Sequence, residues 1–238
     1  MSCPLCHADT QRVEGEKSGY RICECEGCGL MYSDPMPTPQ QLDEIYAEYG
    51  VNKKNILRAR EKVLRWRRRL FLIQMLAPRG RFLDIGCNTG FAAEAARRYG
   101  YDAFGIDLGR QSIDIAREMF PGCHFELQTA QVLAGRGEKF ELVTCSEVIE
   151  HLTELETFVE ALRGLVAPGG LLYLTTPDVG HWRVPKDKLA WSEISPPHHL
   201  IYFGKPQMRQ LLESHGFKVM FFFPMPHKPN LRVLARRL

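Results

Sequence analysis

From residue 81 onward, short apolar runs alternate with amphipathic stretches. RFLDI (81–85), DAFGID (102–107), CHFELQ (123–128), KFELVTC (139–145), LLYLTT (171–176) and KVMFFF (218–223) have strand length, and most carry β-branched or aromatic residues. TGFAAEAARRYG (89–100), SIDIAREMF (112–120), TELETFVEALRGLV (153–166) and PQMRQLLESHGF (206–217) repeat apolar residues at three- and four-residue intervals, which predicts helices. Gly100 and Gly216 end two of these helices and Pro168-Gly169-Gly170 ends a third, which Thr153 and Glu156 open as a capping box. Such alternation predicts an α/β fold: a mostly parallel sheet with helices on both faces. Ligands of such sheets bind beyond the carboxyl ends of the strands. The tail HKPNLRVLARRL (227–238) fits a strand, a helix or a truncated end.

The first 79 residues lack this alternation. Cys3 and Cys6 form one C-x2-C pair, and Cys25 and Cys28 form a second, 18 residues later. Two residues between cysteines let one tight turn aim both sulfurs at an ion, and two such turns complete a tetrahedron. The spacing therefore predicts a structural zinc ribbon over 1–35 with four thiolate ligands. A closed sulfur shell leaves no position for catalysis, and the ion supplies stability that so short a segment lacks. Cys23 and His7 stand beside these four as substitutes, whereas Cys87, Cys123 and Cys145 read as small core residues. Pro35, Pro37 and Pro39 then break regular structure. Residues 36–79 read as a helical linker, with a short helix QQLDEIYAEY (40–49) and a long basic helix ending near Ala77-Pro78-Arg79-Gly80. The third region, 80–238, is the alternating domain.

Composition is ordinary for a globular chain of 238 residues, with 45% hydrophobic residues, 25% charged and a net charge of +3. No apolar run approaches the roughly 20 residues that cross a bilayer. The opening MSCPLCHADT has no basic start followed by an apolar core, so a cytoplasmic protein with reduced thiols is expected, and no membrane partner. From Lys53 to Arg69, KKNILRAREKVLRWRRR carries nine basic residues against Glu61 alone. A solvated helix face with Ile56, Leu57, Val63, Leu64 and Trp66 on the other side accounts for this; an RNA-facing surface is the alternative.

The candidate chemistry begins at FLDIGCNTG (82–90). A strand that runs into a glycine-bearing turn and a helix commonly holds a nucleotide. The G-x-G-x-x-G spacing of a pyrophosphate turn is absent, and no Lys follows Gly90 as a P-loop requires. Asp84 would repel a phosphate and attract an ammonium. S-adenosylmethionine has an ammonium, a sulfonium and no phosphate, and Gly86 and Gly90 would let the backbone approach its methionine part. Asp107 closes the next strand, 23 residues after Asp84, where an acid takes ribose hydroxyls. Each acid also has a plainer reading as a cap of the following helix.

Taken in order, FLDIGCNTG, FGIDLG, FELVTCSEVIEHL and LVAPGGLLYLTTPD resemble the class I S-adenosylmethionine-dependent methyltransferases. CPLC, CEGCGL and PPHHLIYFG resemble the subgroup with an N-terminal cysteine ribbon and a late P-x-HL-x-x-F segment. The resemblance implies a Rossmann-like class I methyltransferase sheet. It also implies that Asp84, Gly86, Asn88 and Gly90 hold the methionine part, and Asp107, with Leu108 beside it, the ribose. Thr129 and Ala130 would meet the adenine, and Glu147 would border the cofactor. Asn88 stands where the family commonly has glycine, and QTAQVL (128–133) lacks the acid often found there.

Methyl transfer is an in-line displacement at an activated carbon, so alignment dominates, and a base assists when the acceptor carries a proton. His199 of PPHHL, its neighbour His198, and His151 of EVIEHL are the candidate bases; each also reads as a structural residue. Glu150 is expected to point elsewhere. Residues 181–205 are expected to form a lid, with Trp182, Trp191, Tyr202 and Phe203 suited to a ring-shaped substrate. The expected function is methyl transfer to a small molecule: a sugar, a glycan or a secondary-metabolite intermediate. A ribosomal-RNA base methyltransferase and a zinc-ribbon binding module without turnover are the alternatives.

Overall fold

The computed structural model describes residues 2–38, 40–42 and 57–238. The short helix expected over 40–49 and the beginning of the basic stretch therefore lie largely outside the described residues. The chain divides into two compact units. One comprises Met1–Ile45, Ser146–Glu160 and Leu174–Ala235; the other comprises Tyr46–Cys145, Ala161–Tyr173 and Arg236–Leu238.

In chain order, β1 (Gln11–Lys17), β2 (Tyr20–Cys25) and β3 (Met31–Asp34) precede α1 (Ala59–Leu76). The alternating region opens with β4 (Arg81–Ile85), α2 (Phe91–Arg97), β5 (Asp102–Asp107), α3 (Arg110–Met119), β6 (His124–Leu127) and α4 (Ala130–Gly135). It continues with β7 (Phe140–Ser146), a 3-10 turn Ile149–His151, α5 (Leu155–Leu165) and β8 (Val166–Pro177). The chain ends with β9 (Ile201–Tyr202), α6 (Lys205–Ser214), β10 (Phe217–Phe222) and β11 (Asn230–Arg237).

Seven strands form one sheet in the order β10-β11-β8-β7-β4-β5-β6. β4 lies parallel to both β5 and β7, and β5 parallel to β6. Phe82 to Ile85 of β4 are all buried, as expected of a central strand covered on both faces. The tail resolves as β11, inserted between β10 and β8. Residues 223–229 are too short for a parallel crossover, so β10 and β11 form a hairpin.

Four strands form a second sheet in the order β1-β2-β3-β9. β1 and β2 join through Ser18 and Gly19, whose φ values of 51° and 81° match a two-residue hairpin turn. β9, from the PPHHLIYFG segment, pairs antiparallel with β3.

Several expectations change. α5 opens at Leu155, which places Glu154 rather than Thr153 before its first residue and removes the capping box. Its chain passes directly into β8 at Val166, so Pro168-Gly169-Gly170 lie within a strand. α1 buries Val63, Leu70 and Ile73, whereas Leu57 is 86% and Leu64 46% exposed. Leu64 sits about 100° around the helix from Val63, off the ridge that faces inward. No helix among the described residues is long and apolar enough to cross a membrane.

Candidate active site

β4 carries Asp84 into a buried position at the end of the strand. Thr144, its partner in the β4–β7 register, donates its hydroxyl to Asp84 Oδ1 at 2.6 Å. Burial pushes the Asp84 carboxyl up to about 7; the Thr144 bond opposes the rise and the charge of Asp107 adds to it.

The chain turns after Asp84, with φ values of 70° at Gly86, 47° at Asn88 and 82° at Gly90. The amides of Gly86 and Cys87 donate to Ile106 O at 2.9 and 3.0 Å, which hangs the turn on the end of β5. Asn88 N–H donates to Asp107 Oδ2 at 2.8 Å, and Asn88 Oδ1 accepts the Thr89 amide at 2.8 Å. Asp107 Oδ1 accepts the Gly109 amide at 2.8 Å, so this carboxylate clamps both turns. Each of its oxygens keeps a second lone pair for a ligand hydroxyl. The space left by the missing side chain of Gly90 is filled by the protein itself, since a Cβ there would meet Phe125 Cζ at 2.5 Å. Leu108 is 52% exposed beside Asp107. Thr129 caps α4 by accepting the Val132 amide at 3.2 Å, and Ala130 is buried.

Glu147, in the other unit, holds a left-handed backbone with φ 57°. Its Oε1 accepts the Thr175 hydroxyl at 2.6 Å and the Asn230 amide at 2.9 Å. Two residues on, the 3-10 turn begins, and Glu150 is 1% exposed within it. Glu150 Oε2 accepts the Thr176 hydroxyl at 3.0 Å, whereas its Oε1 is buried without a hydrogen-bond partner. Burial pushes this carboxyl up to about 8, and the charge of Glu147 adds to the rise. Burial also pushes His151 down to about 4, so its ring is neutral at physiological pH.

A carbonyl only accepts, so the 2.6 Å contact of His151 Nδ1 with His198 O places the ring proton on Nδ1. His151 Nε2 is then a lone-pair donor, 4.0 Å from Glu150 Oε1. His199 Nδ1 likewise donates to Glu193 O at 2.9 Å. The two imidazoles meet edge to face with centroids 4.9 Å apart. One ligand atom from each of Glu150, His151 and His199 lies within 4.8 Å of the others, an arrangement able to share a proton or hold a cation.

The structure thus gathers two of the three predicted histidines. His198 is exposed and gives the cluster its carbonyl rather than its ring. Glu150, expected to point elsewhere, points into the cluster. The signal for it was an acid placed between buried Ile149 and His151. The aromatic lid is also corrected: Trp191, Tyr202 and Phe203 are buried, and Trp182 alone of the four is exposed. Trp191 and Tyr202 form a core with Ile22, Met31 and Ile194.

Cys3 Sγ lies 3.6 Å from Cys28 Sγ, and Cys6 Sγ lies 3.5 Å from Cys25 Sγ. All four sulfurs fall within 4.8 Å of one another. A tetrahedral zinc–thiolate shell sets its sulfurs about 3.8 Å apart, so the donor set fits zinc. Cys23 is buried outside this cluster. His7 lies 3.9 Å from Glu156 and is mostly exposed.

A family profile described as a methyltransferase domain matches residues 56–220. The ubiquinone biosynthesis O-methyltransferase of Sinorhizobium fredii is 37% identical over 175 residues, covering 63% of this chain and 67% of that protein. Proteins of the same name from Chelativorans sp. and Brucella ovis are 35% and 36% identical over 100 residues. In those two cases the chain spans only 40% of the relative's length, and the match covers 40% of this chain. Among solved structures, an S-adenosylmethionine-dependent methyltransferase from Clostridium acetobutylicum gives a TM-score of 0.58 at 12% identity, over 83% of this chain and 98% of that one. The magnesium protoporphyrin IX methyltransferase of Synechocystis, with bound SAM, gives 0.54 at 19% identity, over 84% and 90%. At these identities the structural likeness speaks for the fold alone.

Proposed function

Because the chain belongs to the methyltransferase-domain family, we propose that it is an S-adenosylmethionine-dependent enzyme that methylates a hydroxyl of a small molecule. The observation that carries the reading is Asp84, a buried carboxyl pushed up to about 7, whose ionised form a neighbouring cation would stabilise. A phosphate would find no welcome there. When bound, S-adenosylmethionine supplies a methyl group already activated on a sulfonium.

In this reading Asp84 takes the ammonium, and the turn from Gly86 to Gly90 holds the methionine part. Asp107 takes the ribose hydroxyls with its remaining lone pairs, and Leu108 offers an apolar surface. Thr129 spends its hydroxyl on α4, so it and Ala130 would address the adenine through their backbone. Glu147 would border the cofactor with its carboxylate oriented by Thr175 and Asn230. His199 accepts the acceptor's proton at Nε2, because Nδ1 already donates to Glu193. His151 packs edge to face against that imidazole, and Glu150, which burial keeps protonated at neutral pH, lies beside the pair without adding a negative charge. The four-thiolate ribbon holds zinc as a structural ion.

A hydroxyl acceptor is supported by the named activity of the relatives. The RNA alternative rests on α1, where Arg60, Arg65 and Arg68 are exposed while Arg67 and Arg69 lie over the Tyr99 and Trp66 rings. The same helix also exposes Phe71, Leu72 and Met75, so its outer surface is mixed rather than continuously basic.

Transfer of labelled methyl from S-adenosylmethionine to phenols, catechols, sugars and ribosomal RNA tests the proposal. Label on a small hydroxylated compound, lost in Asp84→Ala, is expected. Label on RNA alone overturns it.

A further inference from the structure

We propose that the cysteine ribbon positions His199, so that the ion held by Cys3, Cys6, Cys25 and Cys28 sets the geometry of the proton-accepting cluster. The second cysteine pair runs straight into β3. Gly29 N–H donates to Cys25 O at 2.8 Å, and Cys25 N–H donates to Leu30 O at 2.9 Å. Leu30 to Ser33 are fully buried, which makes β3 the rigid edge of the ribbon.

That edge holds the strap on which His199 stands. Met31 pairs with Tyr202, and Tyr32 with Ile201. Ser33 N–H donates to Leu200 O at 2.8 Å, and Leu200 N–H donates to Glu150 O at 2.7 Å. The residue next to His199 is therefore clasped between the ribbon and the turn that bears Glu150 and His151. Tyr202 also donates its hydroxyl to His199 O at 2.6 Å. Three further ties fasten the ribbon to α6 and to the segment before the strap. Gln207 Nε2 donates to Cys28 O at 2.7 Å, Lys17 Nζ to Leu189 O at 2.7 Å, and Ile22 and Met31 pack on Trp191.

A three-stranded ribbon of this size owes its fold to its ion, so losing the ion unfastens β3 from the strap. On its far edge the strap keeps the Glu150 bond and the Val179 N–H to Phe203 O bond at 3.0 Å. The effect is thus a loosened His199 rather than an unfolded unit.

The test removes zinc from the full chain with a chelator and restores it, following bound zinc, amide exchange, S-adenosylmethionine affinity and turnover. The inference rests on the proposed function only for the turnover measurement. Zinc removal is expected to speed exchange at Ser33 and at the β9 residues Ile201 and Tyr202, which pair with β3, about tenfold or more. Cofactor affinity should change less than about threefold while kcat falls about tenfold or more, and zinc should restore both exchange and kcat. A chain that binds no zinc, or unchanged exchange at the strap after removal, overturns the inference. So does a loss of cofactor binding equal to the loss of turnover. Tyr202→Phe keeps the ion and deletes one tie to His199; a lowered kcat with normal zinc content and cofactor affinity is expected, and an unchanged kcat counts against positioning. If the zinc-loaded protein binds the cofactor but methylates no hydroxyl compound, the proposed function fails while the exchange measurement still decides this inference.

Discussion

Thr144 stands directly across from Asp84 in the β4–β7 ladder and gives it a hydroxyl at 2.6 Å. This bond favours the ionised carboxylate, but burial outweighs it and keeps the group near 7. The cofactor's ammonium needs the ionised form. Affinity for S-adenosylmethionine should therefore rise as pH increases toward about 7, by up to about tenfold per pH unit, and level off above it. The sign for the free protein is opposite. With the folded value raised above the ordinary 3.8, the stability contributed by Asp84 is present at low pH and is lost as pH rises from about 4 through about 7. Asp107 from β5 is the charged neighbour that bears on this titration. Calorimetric titration from pH 5.5 to 8 checks the slope, and Thr144→Val should move the inflection upward.

Gly90 makes a prediction about stability. Its φ is 82°, and a Cβ would press on Phe125 from 2.5 Å. Gly90→Ala should cost about 2 kcal/mol or more in urea denaturation. Gly135, which closes α4 with nothing within 4 Å of a Cβ, is the contrast. Gly135→Ala should be neutral or stabilise by up to about 1 kcal/mol.

The histidine cluster separates catalysis from binding. His199→Ala should lower kcat by about 10²- to 10⁴-fold while the cofactor dissociation constant stays within about twofold. His198→Ala should keep most activity, because the carbonyl that His151 uses survives the substitution. Equal losses in the two variants would speak against the assignment of the base.

Most strands and helices were legible from their apolar patterns, and Gly100 and Gly216 marked two helix ends; the end of α5 was not, because it passes straight into β8. α4, at six residues, is too short to show a helical period. The direction of Glu150 depends on the tight Ile149–His151 turn, whose side-chain orientations no simple spacing predicts. Trp191 and Tyr202 read as a substrate platform because their cover, Ile22 and Met31, comes from far earlier in the chain. The acids and glycines of 84–107 were visible as a set, yet that Asp107 ties Asn88 and Gly109 together emerges only when β5 is laid beside the turn. The two cysteine pairs were visible from spacing, and their sulfurs converge; the exclusion of Cys23 from the cluster needed β2 in place.

The most direct measurement is calorimetric binding of S-adenosylmethionine to the wild-type chain and to Asp84→Asn at pH 8, with matched circular dichroism spectra. The account predicts saturable binding by the wild type and a loss of about tenfold or more in affinity for the variant, which keeps the shape and loses the charge. No binding by the wild type, or equal affinity in the two proteins, would contradict it.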